Sequence, residues 1–346
     1  MIHVDTLIIG GGLAGTTLAW SLRHRGQRVA IVDRGTKRSS SIIAAGLMTP
    51  ITGKRLALSW RWPELRPFAG AFYRTIEIAT QTAFFHERGM VRLFRNEREC
   101  AVFANRVDDE FRGLVQQPEP LVNAEEFANA LGGFAMPTAA QLDVKAYLDC
   151  SRRAFCEAGM LHEVEIDIAT DIVPSAERVI CLPLNLEARA AIFCLGYHPE
   201  PNPWFPSLQF NSAKGEILTL RIPDLREKRI LNRGVWLAPL EGERFRAGST
   251  YERERLDGEP TERGRAEIES RLREFLRLPF DVIDHAAAVR PIIRESRPVL
   301  GFHPDHPRIG IFNGLGSKGS LLAPFVAAQL ADVLCGAGQI DPDVRA

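Results

Sequence analysis

The sequence predicts a mixed α/β fold: a discontinuous parallel sheet flanked by helices, joined to an α+β unit whose sheet is antiparallel. Three observations carry this reading. A strand, glycine turn, helix and strand open the chain, short strands broken by turns fill residues 210–252, and a strand, glycine loop and helix close it. Residues 4–9 read as a short buried strand, 14–25 have helical spacing, and 28–32 form a second strand closed by Asp33, a compact βαβ unit. Over residues 63–87 the spacing Phe68, Phe72, Ile76, Ala79 gives a helix one apolar stripe. Residues 143–158 repeat the helical pattern until Gly159 stops it. The texture then changes: 215–220, 234–239 and 245–250 are apolar runs bounded by turn residues. Thr261 caps a charged surface helix over 263–277 with Ile268, Leu272, Phe275 and Leu276 on one side. Residues 308–312 make a strand and 320–334 the last helix.

At 346 residues the chain is long enough for two domains, and 45% hydrophobic with 25% charged residues excludes a disordered or disulfide-stapled protein. Forty-three acidic and forty-three basic residues cancel, which removes the global electrostatic case for a nucleic-acid binder and favours small partners. Cys100, Cys150, Cys156, Cys181, Cys194 and Cys335 show no ligand spacing, so they read as buried free thiols and no metal site is expected. The opening Met1-Ile2-His3-Val4-Asp5 lacks a basic leader, and no apolar run reaches the roughly 20 residues of a membrane span. A cytoplasmic protein is the expectation.

Gly10-Gly11-Gly12-Leu13-Ala14-Gly15 fits GxGxxG between a strand and a helix, the Rossmann-like context that gives the motif its meaning. Gly10 permits the tight turn, Gly12 lets a pyrophosphate approach the backbone, and Gly15 lets helix and strand pack closely. Amides at the helix start, including those of Leu13 and Ala14, meet the phosphate charge. Asp33, 18 residues after Gly15 and followed by Arg34, is placed for the adenosine ribose. FAD and NAD share this fingerprint. A fingerprint at the extreme N-terminus paired with a terminal strand, loop and helix favours FAD.

With these motifs in order along nearly the whole chain, the sequence resembles the D-amino acid oxidase superfamily of FAD-dependent oxidoreductases, the group of glycine and sarcosine oxidases. Further matching blocks are Ser39-Ser40-Ser41 with Ala44-Ala45-Gly46; Leu142-Asp143-Val144; the strand ending at Gly196; Gly248-Ser249-Thr250; Arg290-Pro291; and Asn313-Gly314-Leu315-Gly316-Ser317-Lys318-Gly319. The resemblance implies that Ala45, Gly46, Gly196, Gly316, Ser317, Lys318 and Gly319 contact the flavin. It also implies that Lys318 and the helix dipole set positive charge at the flavin N1/C2=O edge. Two departures matter. Ser317 stands where glycine oxidase-like members carry a substrate-binding arginine, and the family's flavin-linking cysteine has no match, so the FAD is expected to be noncovalent. The loop is closer to the GLGSRG of oxidase domains in bifunctional wobble-uridine tRNA modification enzymes.

Replacement anchors for a substrate carboxylate are Arg294, with Arg290 in reserve, and Lys54 or Arg55 after the second flavin loop. Arg294, Lys318 and Lys54 are therefore the expected catalytic residues. Arg246 reads as solvent-facing, with assistance to oxygen reduction as the alternative. The expected division is an FAD-binding domain of residues 1–80, 140–205 and 285–346, with a substrate domain of 81–139 and 206–284. The expected reaction oxidises the C–N bond of an amino acid or secondary amine to an imine, with O2 as acceptor. A dehydrogenase using a quinone or protein acceptor, oxidation of a carboxymethylaminomethyl group on tRNA, and a nonenzymatic FAD-binding protein stay open.

Overall fold

Apolar alternation gives way to continuous burial in the Ile2–Ile9 strand, as expected for a strand covered on both faces. In the computed structural model, which describes residues 1–35, 39–293 and 297–346, it lies at the centre of an eight-stranded sheet. Val29–Asp33 pairs with it on one side and Leu186–Phe193 on the other, both parallel, with Ile9 level with Val32 and with Phe193. Leu161–Glu163 extends the first side, while Ile309–Asn313 extends the second with Ile311 level with Phe193. The five parallel strands thus stand in the order 3-2-1-4-5, the doubly wound arrangement. Its consequence is local: the turns after Ile9, Phe193 and Asn313 all leave the same edge.

Helices Leu13–Arg23, Trp62–Thr80, Val144–Glu157 and Gly319–Leu334 pack together against this sheet. Their core includes Leu18, Leu22, Tyr73, Tyr147, Phe312 and Leu330. Among the described residues no helix is long and apolar enough to cross a membrane. Cys150, Cys181 and Cys194 are buried as expected, but Cys156 and Cys335 are exposed because they sit at helix C-termini where the chain turns outward.

A seven-stranded sheet runs in the order Asp281–Arg290, Ala213–Arg221, Arg244–Gly248, Trp236–Pro239, Ile230–Asn232, Met90–Leu93 and Gly133–Met136. Its pairs are antiparallel except Ile230–Asn232 with Met90–Leu93, so the sheet is mixed where a purely antiparallel one was expected. The Asp281–Arg290 strand continues unbroken through position 285, held by pairing with Ala213–Arg221 along its length. Glu262–Arg273 covers one face through Ile268 and Leu272, with Phe275 and Leu276 packing just beyond the helix end. The other face looks toward the parallel sheet.

Gly46 leads into strand Leu47–Met48, which pairs with Ala140–Leu142: its φ is +71°, and a Cβ there would collide with the Leu142 carbonyl. Gly53 has the same positive φ with nothing nearby. Gly46→Ala should therefore carry a clash on top of the roughly 1 to 2 kcal/mol left-handed penalty that Gly53→Ala bears alone. Thermal melts of both variants check this, and equal melting temperatures would contradict it.

Candidate active site

The edge where the parallel strands end opens into a cavity of about 1460 Å³ between the two sheets. That exceeds the roughly 300 to 1,000 Å³ of a single small-ligand pocket. Two helices begin on its wall, Leu13–Arg23 after Gly12 and Gly319–Leu334 after Lys318; neither N-cap residue supplies a side-chain cap, and only Leu13 N is met from elsewhere, by Ser41 Oγ at 3.2 Å, among the described residues. Helices Glu97–Ala104, Val144–Glu157 and Glu262–Arg273 are capped by Asn96, Asp143 and Thr261. Bare amides and the positive dipole ends thus meet in one space, which suits anionic ligand groups.

The glycines act by closeness. A Cβ at Gly10 would collide with the Cys194 carbonyl, and one at Gly15 with the Gly10 carbonyl, so strand, turn and helix approach as only glycine allows. Gly12, Leu13 and Ala14 line the cavity, as do Asp33, Arg34, Ala45, Gly46, Gly196, Gly316, Ser317, Lys318 and Gly319. Gly10 lines it too, whereas Gly15 lies behind the wall, packed on the Gly10 carbonyl. Asp33 is more heavily engaged than expected: it accepts from Gly11 N at 2.6 Å, Gly35 N at 2.9 Å and Arg152 Nη1 at 3.0 Å. A carboxylate offers about four acceptor sites, which leaves about one for a ribose hydroxyl.

Lys318 is half-buried on the wall and donates to no acceptor among the described residues. Burial alone holds its pKa below the ordinary lysine range. Asn313, which heads the terminal loop, is buried and donates from Nδ2 to the Gly196 carbonyl at 2.9 Å while accepting from Gly314 N, so it ties two of the edge turns together.

The second sheet contributes Arg290. This arginine lies on the cavity wall and donates from Nη2 to Ser249 Oγ at 2.6 Å and to the Thr250 carbonyl at 3.3 Å. Its Nη1 is buried with no partner, and no carboxylate pairs with it among the described residues. Its guanidinium carbon lies 5.4 Å from the centre of the Tyr251 ring, and burial lowers its pKa. Gly215 makes this possible, since a Cβ there would occupy the guanidinium's place.

Three expectations fare differently. Arg294 lies outside the described residues. Lys54 and Arg55 are exposed on the turn between strands Ile51–Thr52 and Ala57–Leu58 and are not part of the cavity wall, because that hairpin points its loop to solvent. Arg246 is half-buried rather than solvent-facing and donates to the Ala44 carbonyl at 3.0 Å. The signal for Arg290 was its place in a strand, where alternation with the neighbouring Gly215 decides the direction.

The fold and this wall define a dinucleotide-binding oxidoreductase. A family description, FAD dependent oxidoreductase (DAO), matches residues 5–333, and the chain belongs to that family. Over 95% of its length the chain is 24% identical to the tRNA 5-methylaminomethyl-2-thiouridine biosynthesis bifunctional protein MnmC of Marinobacter nauticus, covering 55% of that protein. It is equally similar to the bifunctional protein ThiO/ThiG of Nostoc sp., with 52% of that protein covered. The chain thus spans about half the length of these curated relatives. Glycine oxidase from Geobacillus kaustophilus has the same fold, with a TM-score of 0.85, 22% identity, and 99% and 97% of the two chains covered. The chain is thus a member of the FAD-dependent oxidoreductases. The uncapped helix starts and glycine cradle fit FAD.

Asp33→Ala removes a ribose acceptor together with the bond that fixes Gly11. FAD affinity should fall by roughly 1.5 to 3 kcal/mol, about 10- to 150-fold. Fluorescence titration of the apoprotein measures it, and wild-type affinity in a folded variant would remove Asp33 from the cofactor site.

Proposed function

We propose that the chain oxidises the C–N bond of an amino acid or secondary amine bearing a carboxylate, with noncovalent FAD and O2 as electron acceptor. The observation that carries this reading is Arg290, a half-buried cation on the cavity wall whose Nη1 is fully buried and orphaned, with no carboxylate partner among the described residues. Such a group is costly to bury alone and suits a ligand carboxylate in bidentate contact. Cys194 lines the cavity, but burial pushes its thiol pKa well up, so it is a poor nucleophile and supports a noncovalent cofactor.

Bound FAD supplies the two-electron acceptor. The chain's part is placement. Arg290, braced by Ser249 and roofed by Tyr251, holds the carboxylate and fixes the α-carbon. Reacting atoms must be held about 3 to 3.5 Å apart for transfer, and a clamp on one end of a short substrate provides this. The α C–H leaves as hydride, the amine N–H leaves as a proton, and water hydrolyses the imine to a carbonyl compound and a free amine. Lys318, at the uncapped start of the terminal helix, supplies positive charge to the cofactor's anionic edge.

A carboxymethylaminomethyl group carried on tRNA is the second reading, favoured by the likeness to MnmC and by the loop 314–319. Turnover of small N-substituted glycines without tRNA separates the two. Peroxide formed in step with amine consumption in air supports O2, and its absence points to another acceptor.

Arg290→Met should raise the half-saturation concentration of sarcosine at least tenfold more than that of a matched amine lacking the carboxylate. Equal losses on both would assign Arg290 to structure. For Lys318 the linkage runs from its depressed pKa. Anionic FAD raises that value, so the bound state holds the proton more tightly. Binding is then strongest below the free protein's pKa and weakens as pH rises through it. FAD affinity should decline in the wild type as pH rises from neutrality toward the ordinary lysine range and stay flat in Lys318→Met. Parallel pH profiles would rule out this role.

A further inference from the structure

Resting on the proposed reading of Arg290 as the carboxylate anchor, the cavity wall continues well past what a simple amino acid needs. Strand register sets Arg92, Asn232, Trp236, Gly248 and Ile217 side by side on one sheet face. All but Gly248 line the cavity. Four strand spacings of about 4.8 Å put Arg92 roughly 19 Å along the wall from Ile217, beside the Gly215 notch that holds the Arg290 guanidinium. The polar groups at the far end are unspent. Arg92 is 6% exposed and donates only from Nη2, to Glu99 at 3.1 Å; its Nε is buried with no partner. Asn232 accepts weakly from Gly234 N at 3.4 Å, and its Nδ2 and the Trp236 indole N–H donate to nothing among the described residues. Gly248 lets the Trp236 ring lie flat, since a Cβ there would press on the indole.

We infer that Arg92, Asn232 and Trp236 form a distal subsite that selects an N-substituted amino acid whose substituent is flat and ends in an uncharged hydrogen-bond acceptor such as an amide or imide carbonyl. Glu99 already balances the charge of Arg92, so the subsite presents donors with little net charge. A neutral acceptor satisfies them, whereas a second carboxylate would be buried against Glu99 without compensation. The Trp236 face supplies the stacking surface between the two polar ends.

Three probes of increasing length test this: sarcosine, N-benzylglycine and N-(3-carbamoylbenzyl)glycine. Their dissociation constants are read from the saturation of anaerobic flavin bleaching in the FAD-loaded protein. The carbamoyl compound should bind about tenfold tighter than N-benzylglycine. Arg92→Lys, which keeps the pairing charge for Glu99, and Asn232→Leu should each bring that ratio close to one. A merely structural role would weaken both ligands and keep the ratio. If the wild type shows no preference for the carbamoyl compound, or if the variants retain it, the subsite is refuted while bleaching by sarcosine leaves the C–N oxidation reading standing. If none of the three bleaches the flavin, the reading itself fails and the subsite with it.

Discussion

Three parallel strands ending at one level are the constraint on which the rest depends. Ile9, Phe193 and Ile311 share a register, so the glycine turns that follow each strand emerge side by side. Two of those turns deliver helix starts, and because neither N-cap residue supplies a side-chain cap, amides beyond Leu13 N, which meets Ser41 Oγ, face the same space. Side-chain caps are worth about 1 kcal/mol each, so the bare starts are a real cost in the free protein. An anionic dinucleotide offsets it. Arg290 and Lys318 add to the same imbalance, as half-buried cations that no carboxylate meets among the described residues. The wall is built to be completed by negative charge at both the cofactor and the substrate end.

Alternation in the second sheet decides what reaches that wall. Lys214 and Gly215 are neighbours in one strand, yet they serve opposite purposes. Lys214, 1% exposed, donates to Asp257 and to the Glu259 carbonyl, which pins the loop after Tyr251. Gly215 faces the cavity and makes room for Arg290. Glu216 then turns to the helix side, where it accepts from Thr261 and bonds His285 at 2.8 Å. Three consecutive residues thus fasten the rim loop, shape the anchor and seat the covering helix.

The sequence was most legible where function is local. The fingerprint 10–15, Asp33 and the loop 313–319 carry their meaning within a few residues, because turn geometry and helix dipoles are short-range effects. Helices 144–157 and 319–334 fell within a residue of their expected bounds for the same reason. Substrate-side residues were harder. Nothing near Arg290 announces its direction, which follows from pairing with a strand some 70 residues earlier. Arg92, Asn232 and Trp236 are brought together only by register across strands far apart in the chain, and the Arg92 strand enters that sheet by a parallel pair that no periodicity signals. Lys54 follows the second flavin loop in sequence, yet the hairpin turn brings only Thr52 and Gly53 to the cavity and leaves Lys54 exposed.

Arg246 shows how the two halves are held to one geometry. It reaches from the second sheet to the Ala44 carbonyl in the loop lining the cofactor wall, with Asp143 and Asp284 countering the depression that burial imposes on its pKa. Arg88 makes a second link, donating to Gln141 at 3.0 Å and to the Pro239 carbonyl at 2.7 Å. Hydrogen bonds from charged donors are worth about 1.5 to 3 kcal/mol each, so these ties resist separation of the sheets by more than a surface ion pair would. The proposed substrate clamp on one sheet and the glycine cradle on the other therefore keep a fixed spacing. Where the reacting atoms must meet within a few tenths of an ångström, that rigidity lets the fold set the approach before any ligand arrives.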